Sequence, residues 1–291
     1  SSMRRHESTH FLESSMSKLS AQLDHLGVDS PNPEKLASFY ASAMQMRTTP
    51  FDGGGIMCEG RERRMAFTPG QAKNLRYAAL QLPSAAALQA LRQHIQKSGT
   101  AIDPSPSPFF DDKAFSVLDP DGNRIVLGHD PQDRKRHPGL PARLQHLAFG
   151  TTGIDAMLAF YQDVLGLRIS DNVYADDNSL RSSFLRAGNE HHIVAIFVAP
   201  QNSFDHHCYE AGDWGLIRDW ADELSTHDIP LDWGPGRHGP GNNLFFMIRD
   251  PDNNWLEISA ELEIVQEDRV TGSWIHQEKT LNSWGKAYLR S

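Results

Sequence analysis

The sequence predicts an α+β protein built as two similar halves, each made of two units in which a strand, a helix and several further strands follow one another. Three observations carry that reading. The stretches "LDHLGVDSPNPEKLASFYASAMQM" from Leu23 and "LQHLAFGTTGIDAMLAFYQDVLGL" from Leu144 share one layout, with His25 and His146 each followed fourteen positions later by a Phe-Tyr pair. Both halves close on the same kind of hairpin, "FSVLDPDGNRIVLG" and "FFMIRDPDNNWLEIS", where Asp-Pro-Asp supplies the turn chemistry. A weaker repeat links "LRYAALQLPSAAALQALRQHI" from Leu75 with "FDHHCYEAGDWGLIRDWADEL" from Phe204. Each reads as a strand and then an amphipathic helix, because Leu88, Leu91 and Ile95 in one, and Ile217, Trp220 and Leu224 in the other, are spaced for a single helical face.

In chain order, residues 1–20 are polar, serine-rich and without periodicity, and read as a loose arm. Residues 21–130 form the first half. The stretch "HDPQDRKRHPGLPA", residues 129 to 142, is charged and proline-containing, which sets a boundary with a linker over 131–142. Residues 143–265 form the second half and 266–291 a tail, whose Trp274, Ile275 and Trp284 favour docking over the mouth of the second half or a subunit contact.

Composition narrows the classes. With 291 residues, 39% hydrophobic and 22% charged, the chain is globular and long enough for two domains. A net charge of −9 and a pI near 5.8 argue against a nucleic-acid binder, which would show a basic stripe. No apolar run approaches the ~18 residues of a membrane span and no signal-type segment opens the chain, so a soluble, cytoplasmic protein without membrane contact is expected. Two cysteines, Cys58 and Cys208, make no disulfide framework, in keeping with a reducing compartment.

Glu257 raises the chemical question. It stands on a strand with Trp255, Leu256 and Ile258, and strand alternation puts it on the same face as Trp255. A carboxylate on an apolar face must be solvated, paired or metal-bound. Fourteen histidines supply candidate partners. Taken singly, a strand histidine is more often packed core or surface than a ligand.

The repeat, the twin hairpins and these histidines together resemble the vicinal oxygen chelate superfamily, and within it the two-domain type I extradiol ring-cleavage dioxygenases, over residues 20 to 262. The resemblance implies four βαβββ modules forming two open β-barrel domains, with a metal in the second only. It implies three ligands: His146 on the first strand of the third module, a histidine on the first strand of the fourth, and Glu257 near its end. "FDHH" offers two candidates for the middle ligand; alignment with "LQHL" favours His206 over His207. Two imidazoles and a carboxylate suit Fe(II) with open positions, Mn(II) being the alternative. The first-half equivalents His25, Tyr77 and Val126 keep one ligand type of three, which marks that half as structural.

The same resemblance gives His192, in "NEHHIVAIF", the role of a distal acid-base group, its imidazole taken near the ordinary pKa of ~6.5, with His191 facing the other way. It makes His238, in the glycine-rich "GPGRHGPGNN", a substrate contact. Asn242, Asn243, Phe245, Met247 and Trp255 are the remaining candidates for the substrate pocket. Met247 stands where the family commonly keeps a tyrosine, which leaves an apolar wall there and favours catechols with apolar or bulky substituents. The expected activity is extradiol cleavage of a catechol by O2, in a homo-oligomer. A metal-dependent lyase or isomerase of the glyoxalase type and a non-catalytic binding module are the rival classes.

Overall fold

A computed structural model describes residues 18–132 and 134–290. The first half contains β1 (Gln22–Ser30), α1 (Pro33–Ala43), β2 (Arg47–Phe51), β3 (Gly55–Gly60), β4 (Arg63–Pro69), β5 (Asn74–Gln81), α2 (Ala85–Lys97), β6 (Asp103–Pro104), β7 (Phe115–Leu118) and β8 (Arg124–Gly128). The second contains β9 (Arg143–Thr151), α3 (Ile154–Ala159), β10 (Arg168–Tyr174), β11 (Leu180–Arg186), β12 (Val194–Val198), β13 (Ser203–Gly212), α4 (Trp214–Thr226), β14 (Trp233–Arg237), β15 (Leu244–Arg249) and β16 (Trp255–Ala260). The tail adds β17 (Gly272–Ile275) and α5 (Glu278–Leu281). Each half is thus two βαβββ units.

The strands form two sheets, ordered β2-β3-β4-β1-β5-β8-β7-β6 and β14-β15-β16-β13-β9-β12-β11-β10-β17. In both, the opening strands of two units lie side by side and antiparallel, β1 against β5 and β9 against β13. Each opening strand also pairs in parallel with the last strand of its own unit, as β13 does with β16. The result is a row of adjacent strands, β9, β13 and β16, that brings residues far apart in sequence onto one face.

Local chemistry accounts for the helices. Asn32 accepts from Lys35 N at 3.0 Å and Pro33 occupies the first helical position, which starts α1. Asp213 caps α4 in the same way through Leu216 N. Leu88, Leu91 and Ile95 on α2, and Ile217, Trp220 and Leu224 on α4, are buried, as their spacing predicts. The core runs through both halves.

The stretch read as a linker is tied down. Arg134 pairs with Asp24 and Asp130, Leu140 N donates to Gln45 Oε1 at 2.8 Å, and the buried Arg63 donates to the carbonyls of Leu140 and Ala142. The end of the N-terminal arm also differs from expectation. Leu19 is buried and donates its N–H to Gly166 O at 3.0 Å, so a hydrophobic anchor overrides the polar look of the segment. Residues 1–17 of that arm lie outside the described residues. Among the described helices none is long and apolar enough to cross a membrane.

Candidate metal centre

His146 on β9, His206 on β13 and Glu257 on β16 converge, each offering one ligand atom within 4.8 Å of the others. Register explains why. Cys208 on the middle strand faces His146 on one side and Glu257 on the other, and His206 lies two residues away on the same face. His146 Nε2 is 3.4 Å and His206 Nε2 3.3 Å from Glu257 Oε2. His238 Nε2 stands 3.4 Å from the other oxygen, Oε1.

Each imidazole is oriented from behind. His146 Nδ1 bonds Gln145 Oε1 at 2.7 Å, His206 Nδ1 bonds Asp205 Oδ2 at 2.6 Å, and His238 Nδ1 bonds Leu281 O at 2.5 Å. Since all three partners are acceptors, each Nδ1 carries a hydrogen, and a neutral ring turns its Nε2 lone pair toward Glu257. Lone pairs facing a carboxylate repel unless a cation or added protons lie between them, so this donor set fits a divalent metal. His146, His206 and Glu257 would hold it. Asn243 Nδ2, 3.2 Å from Glu257 Oε1, steadies the carboxylate.

Electrostatics point the same way. Burial alone would raise Glu257, but the hydrogen bonds that His146, His206 and His238 give it when their Nε2 atoms are protonated hold its carboxyl well below the usual range. Burial lowers His146 despite Glu257. For His206 burial is outweighed by the hydrogen bonds and charges of Asp205 and Glu257, which push it up to about 9.

The cavity over these groups is lined by apolar side chains, among them Val173, Phe184, Ala195, Phe197, Met247 and Leu281, and by His192 and His238. Several sequence candidates stand elsewhere. His207 faces away, its Nε2 3.2 Å from Tyr40 Oη in the first half. Asn242 is exposed, its carbonyl accepting from Arg237 and its N–H donating to Gly239 O; its positive φ of 52° makes it a turn residue. Asn243 is buried behind Glu257, away from the cavity. Phe245 lies under His238, stacked at 3.7 Å, and Trp255 packs with Trp233 behind Met247. Neither lines the cavity. The glycines around His238 let backbone approach the tail: Gly239 N donates to Thr280 O at 2.9 Å, and a Cβ there would meet that oxygen at 2.7 Å.

The histidine pair at 191–192 also departs from the strand reading. Both residues lie in the turn before β12, both are buried, and they bond each other through Nδ1 atoms 2.9 Å apart. The His192 pKa is not near its ordinary value. Burial first, then the neighbouring His146 and His191, push it well below, so the resting ring is neutral.

In the first half the equivalent strands β1, β5 and β8 carry His25, Tyr77 and Val126. His25 is boxed in by the rings of Tyr77, Phe109 and Phe110 and bonds Asp24 and Ser107. Tyr77 and Phe110 pack with Ala79, Ala114 and Val126 in a small apolar cluster beside it.

The tail contributes most of what the sequence reading missed. His276, Gln277, Thr280, Leu281, Leu289 and Arg290 close one side of the cavity, and Arg290 Nε pairs with Asp205 Oδ1 at 2.8 Å, behind His206. The apolar residues expected there do otherwise: Trp274 bonds Asp171, while Ile275 and Trp284 are exposed. The tail lies outside the repeats, so no internal alignment could locate it.

Residues 143–258 match the family model described as the Glyoxalase/Bleomycin resistance protein/Dioxygenase superfamily. The second half is a domain of that superfamily. Relatives extend beyond the domain: the chain is 26% identical over 220 residues to metapyrocatechase 2 of Cupriavidus necator, covering 67% of each chain. It is 26% identical over 249 residues to the iron-dependent extradiol dioxygenase of Rhodococcus jostii, covering 76% of this chain and 81% of that one. Among solved structures, the substrate complex of homoprotocatechuate 2,3-dioxygenase from Brevibacterium fuscum with 3,4-dihydroxyphenylacetate superimposes with a TM-score of 0.80 at 18% identity, covering 93% of this chain and 90% of that one. The Mn(II)-bound glyoxalase of Novosphingobium aromaticivorans gives 0.79 at 22% identity, covering 93% and 92%. At such identities these superpositions establish the superfamily fold.

Proposed function

We propose that the chain is an extradiol dioxygenase that opens the ring of a catechol bearing an apolar substituent, using one Fe(II), with Mn(II) as the alternative. The observation that carries this reading is a two-histidine, one-glutamate cluster facing a largely apolar cavity, with His192 and His238 beside it and outside the ligand set. Relatives named for extradiol cleavage support it.

A metal in this site would offer open positions for a diol and O2 and accept and return electrons between them. The chain's own groups do the rest. Glu257 and two neutral imidazoles contribute one negative charge, which leaves the site cationic enough to favour an ionised diol. His192, neutral at rest, accepts a proton and then returns it, an exchange that general acid-base groups commonly make worth on the order of 10²-fold or more. His238, fixed by Leu281 O and its stack on Phe245, holds its Nε2 toward the cavity to hydrogen-bond the diol. Met247 and its apolar neighbours exclude water and receive the ring substituent.

We further propose that the first half, residues 21–130, is a structural partner without metal, that the protein is cytoplasmic, and that it assembles as a homo-oligomer. Anaerobic loading with Fe(II) or Mn(II), followed by an oxygen electrode and a panel of substituted catechols, tests the proposal. A glyoxalase-type lyase would turn over its substrate without O2, and a binding module would consume neither.

A further inference from the structure

Behind His192 runs a chain of buried hydrogen bonds that the reaction as described does not use. His192 Nδ1 lies 2.9 Å from His191 Nδ1, and His191 Nε2 lies 2.9 Å from Asp171 Oδ2. The tail holds Asp171 in turn: Trp274 Nε1 donates to Oδ2 at 2.8 Å and Arg269 pairs with Oδ1 at 2.9 Å. His191 and Asp171 are fully buried, and His192 nearly so.

Donor and acceptor arithmetic fixes the protons. Asp171 already receives the tail's indole and guanidinium, and burial, which would raise its pKa, is overcome by the bonds from His191, Trp274 and Arg269, so it is an acceptor only. His191 Nε2 must therefore carry its hydrogen. Arg269 balances the Asp171 charge, and the other nearby carboxylate, Glu263, is part-exposed at 4.0 Å, so nothing buried favours a second cation on His191. A neutral His191 then has a bare Nδ1, which can only accept. The hydrogen in the Nδ1–Nδ1 contact belongs to His192.

We propose that His191 and Asp171, clamped by Arg269 and Trp274 of the tail, are positioning residues that hold His192 in its Nδ1–H tautomer and leave its Nε2 bare on the cavity side. This rests on the acid-base role given to His192 above. Its logic is that of any base oriented by a second group: the wrong tautomer has the right shape and no lone pair where the proton must go.

The test is imidazole nitrogen NMR on the metal-free protein with 15N-labelled histidine, the two residues being assigned through His191→Phe and His192→Phe. Wild type should show His192 as Nδ1–H and His191 as Nε2–H. In His191→Phe, His192 should lose that tautomer and move toward the Nε2–H form. Asp171→Asn should disturb the same signals, and it serves if His191→Phe does not fold. In the Fe(II)-loaded enzyme both variants should lose kcat by about 10²-fold or more while KM moves only a few-fold. Finding His192 as Nε2–H in wild type, or as unchanged Nδ1–H in both variants, would overturn the assignment. Ring opening by the wild type, measured separately, shows whether the dioxygenase reading survives either result.

Discussion

The Tyr40 hydroxyl donates to Asp250 Oδ2 at 3.1 Å, joining the first half to the second. Its counterpart runs the other way, from Tyr161 to Asp119 Oδ2 at 2.9 Å. Each Phe-Tyr pair of the repeat thus sends its tyrosine to the Asp-Pro-Asp turn of the opposite half, and each aspartate also accepts from the backbone N–H two and four residues on. Both tyrosines are buried. Tyr161→Phe should therefore cost about 1.5–3 kcal/mol, the range for a hydrogen bond to a charged group, seen as a lower melting temperature in calorimetry. An unchanged melting temperature would mean that the link between halves is not energetic.

His206 and His207 are adjacent with opposite tasks. His206→Ala should abolish metal retention. His207→Ala should keep the metal yet destabilise the fold, because it removes a ring packed against Phe204 and bonded to Tyr40. Metal analysis after anaerobic reconstitution, with thermal denaturation alongside, separates the two.

Metal binding should release protons. With His206 pushed up to about 9 by Asp205 and Glu257, the metal-free site carries a proton on that imidazole at pH 7, and a metal must displace it. Apparent affinity should rise with pH and level off above about 9. Asp205→Asn removes the main opposing partner to burial, so the pH at which affinity levels off should fall, while affinity at high pH drops roughly 10–100-fold with the lost orienting bond. Calorimetric titrations in buffers of different ionisation enthalpy measure both.

Glu210 gives a stability signature. Burial is the main cause that raises its pKa to about 7, although Ser259 hydrogen-bonds it. A carboxyl whose folded pKa is raised contributes stability that is full below the unfolded value of about 4.5 and is lost as pH rises through about 7. Glu210→Gln does not titrate, so its stability relative to wild type should improve between pH 5 and pH 8. Melting curves across that window would show a constant difference if Glu210 were solvated.

The convergence of His146, His206 and Glu257 was readable because each sits at the same place in a repeated unit, and strand alternation put Glu257 where an unpaired charge could not stay. The same alternation misled at the 191–192 pair, which lies in a turn where side chains need not alternate. Asn243, Phe245 and Trp255 belong to the neighbourhood foreseen for them, but none lines the cavity, because of hairpin register and the bend of the loop around Gly241, neither of which has a local sequence signature. The low pKa of His192 is a property of burial, invisible until the fold is built.

Met247 pairs with Glu257 across the hairpin and lines the cavity. Kinetics should favour alkyl- or arylcatechols over acidic ones, and Met247→Tyr should shift the pH profile of kcat/KM by adding a hydrogen bond to the diol. A wide preference of the wild type for an acidic catechol would refute the apolar wall.

The most direct measurement of the central claim is the mass of the product formed from an apolar 3-substituted catechol by the Fe(II)-loaded protein, taken together with O2 consumed. One O2 per catechol and a ring-opened product heavier by both oxygen atoms are expected, with no turnover in Glu257→Ala. A product heavier by a single oxygen, a quinone with none, or a metal-loaded protein that consumes no O2 would contradict it.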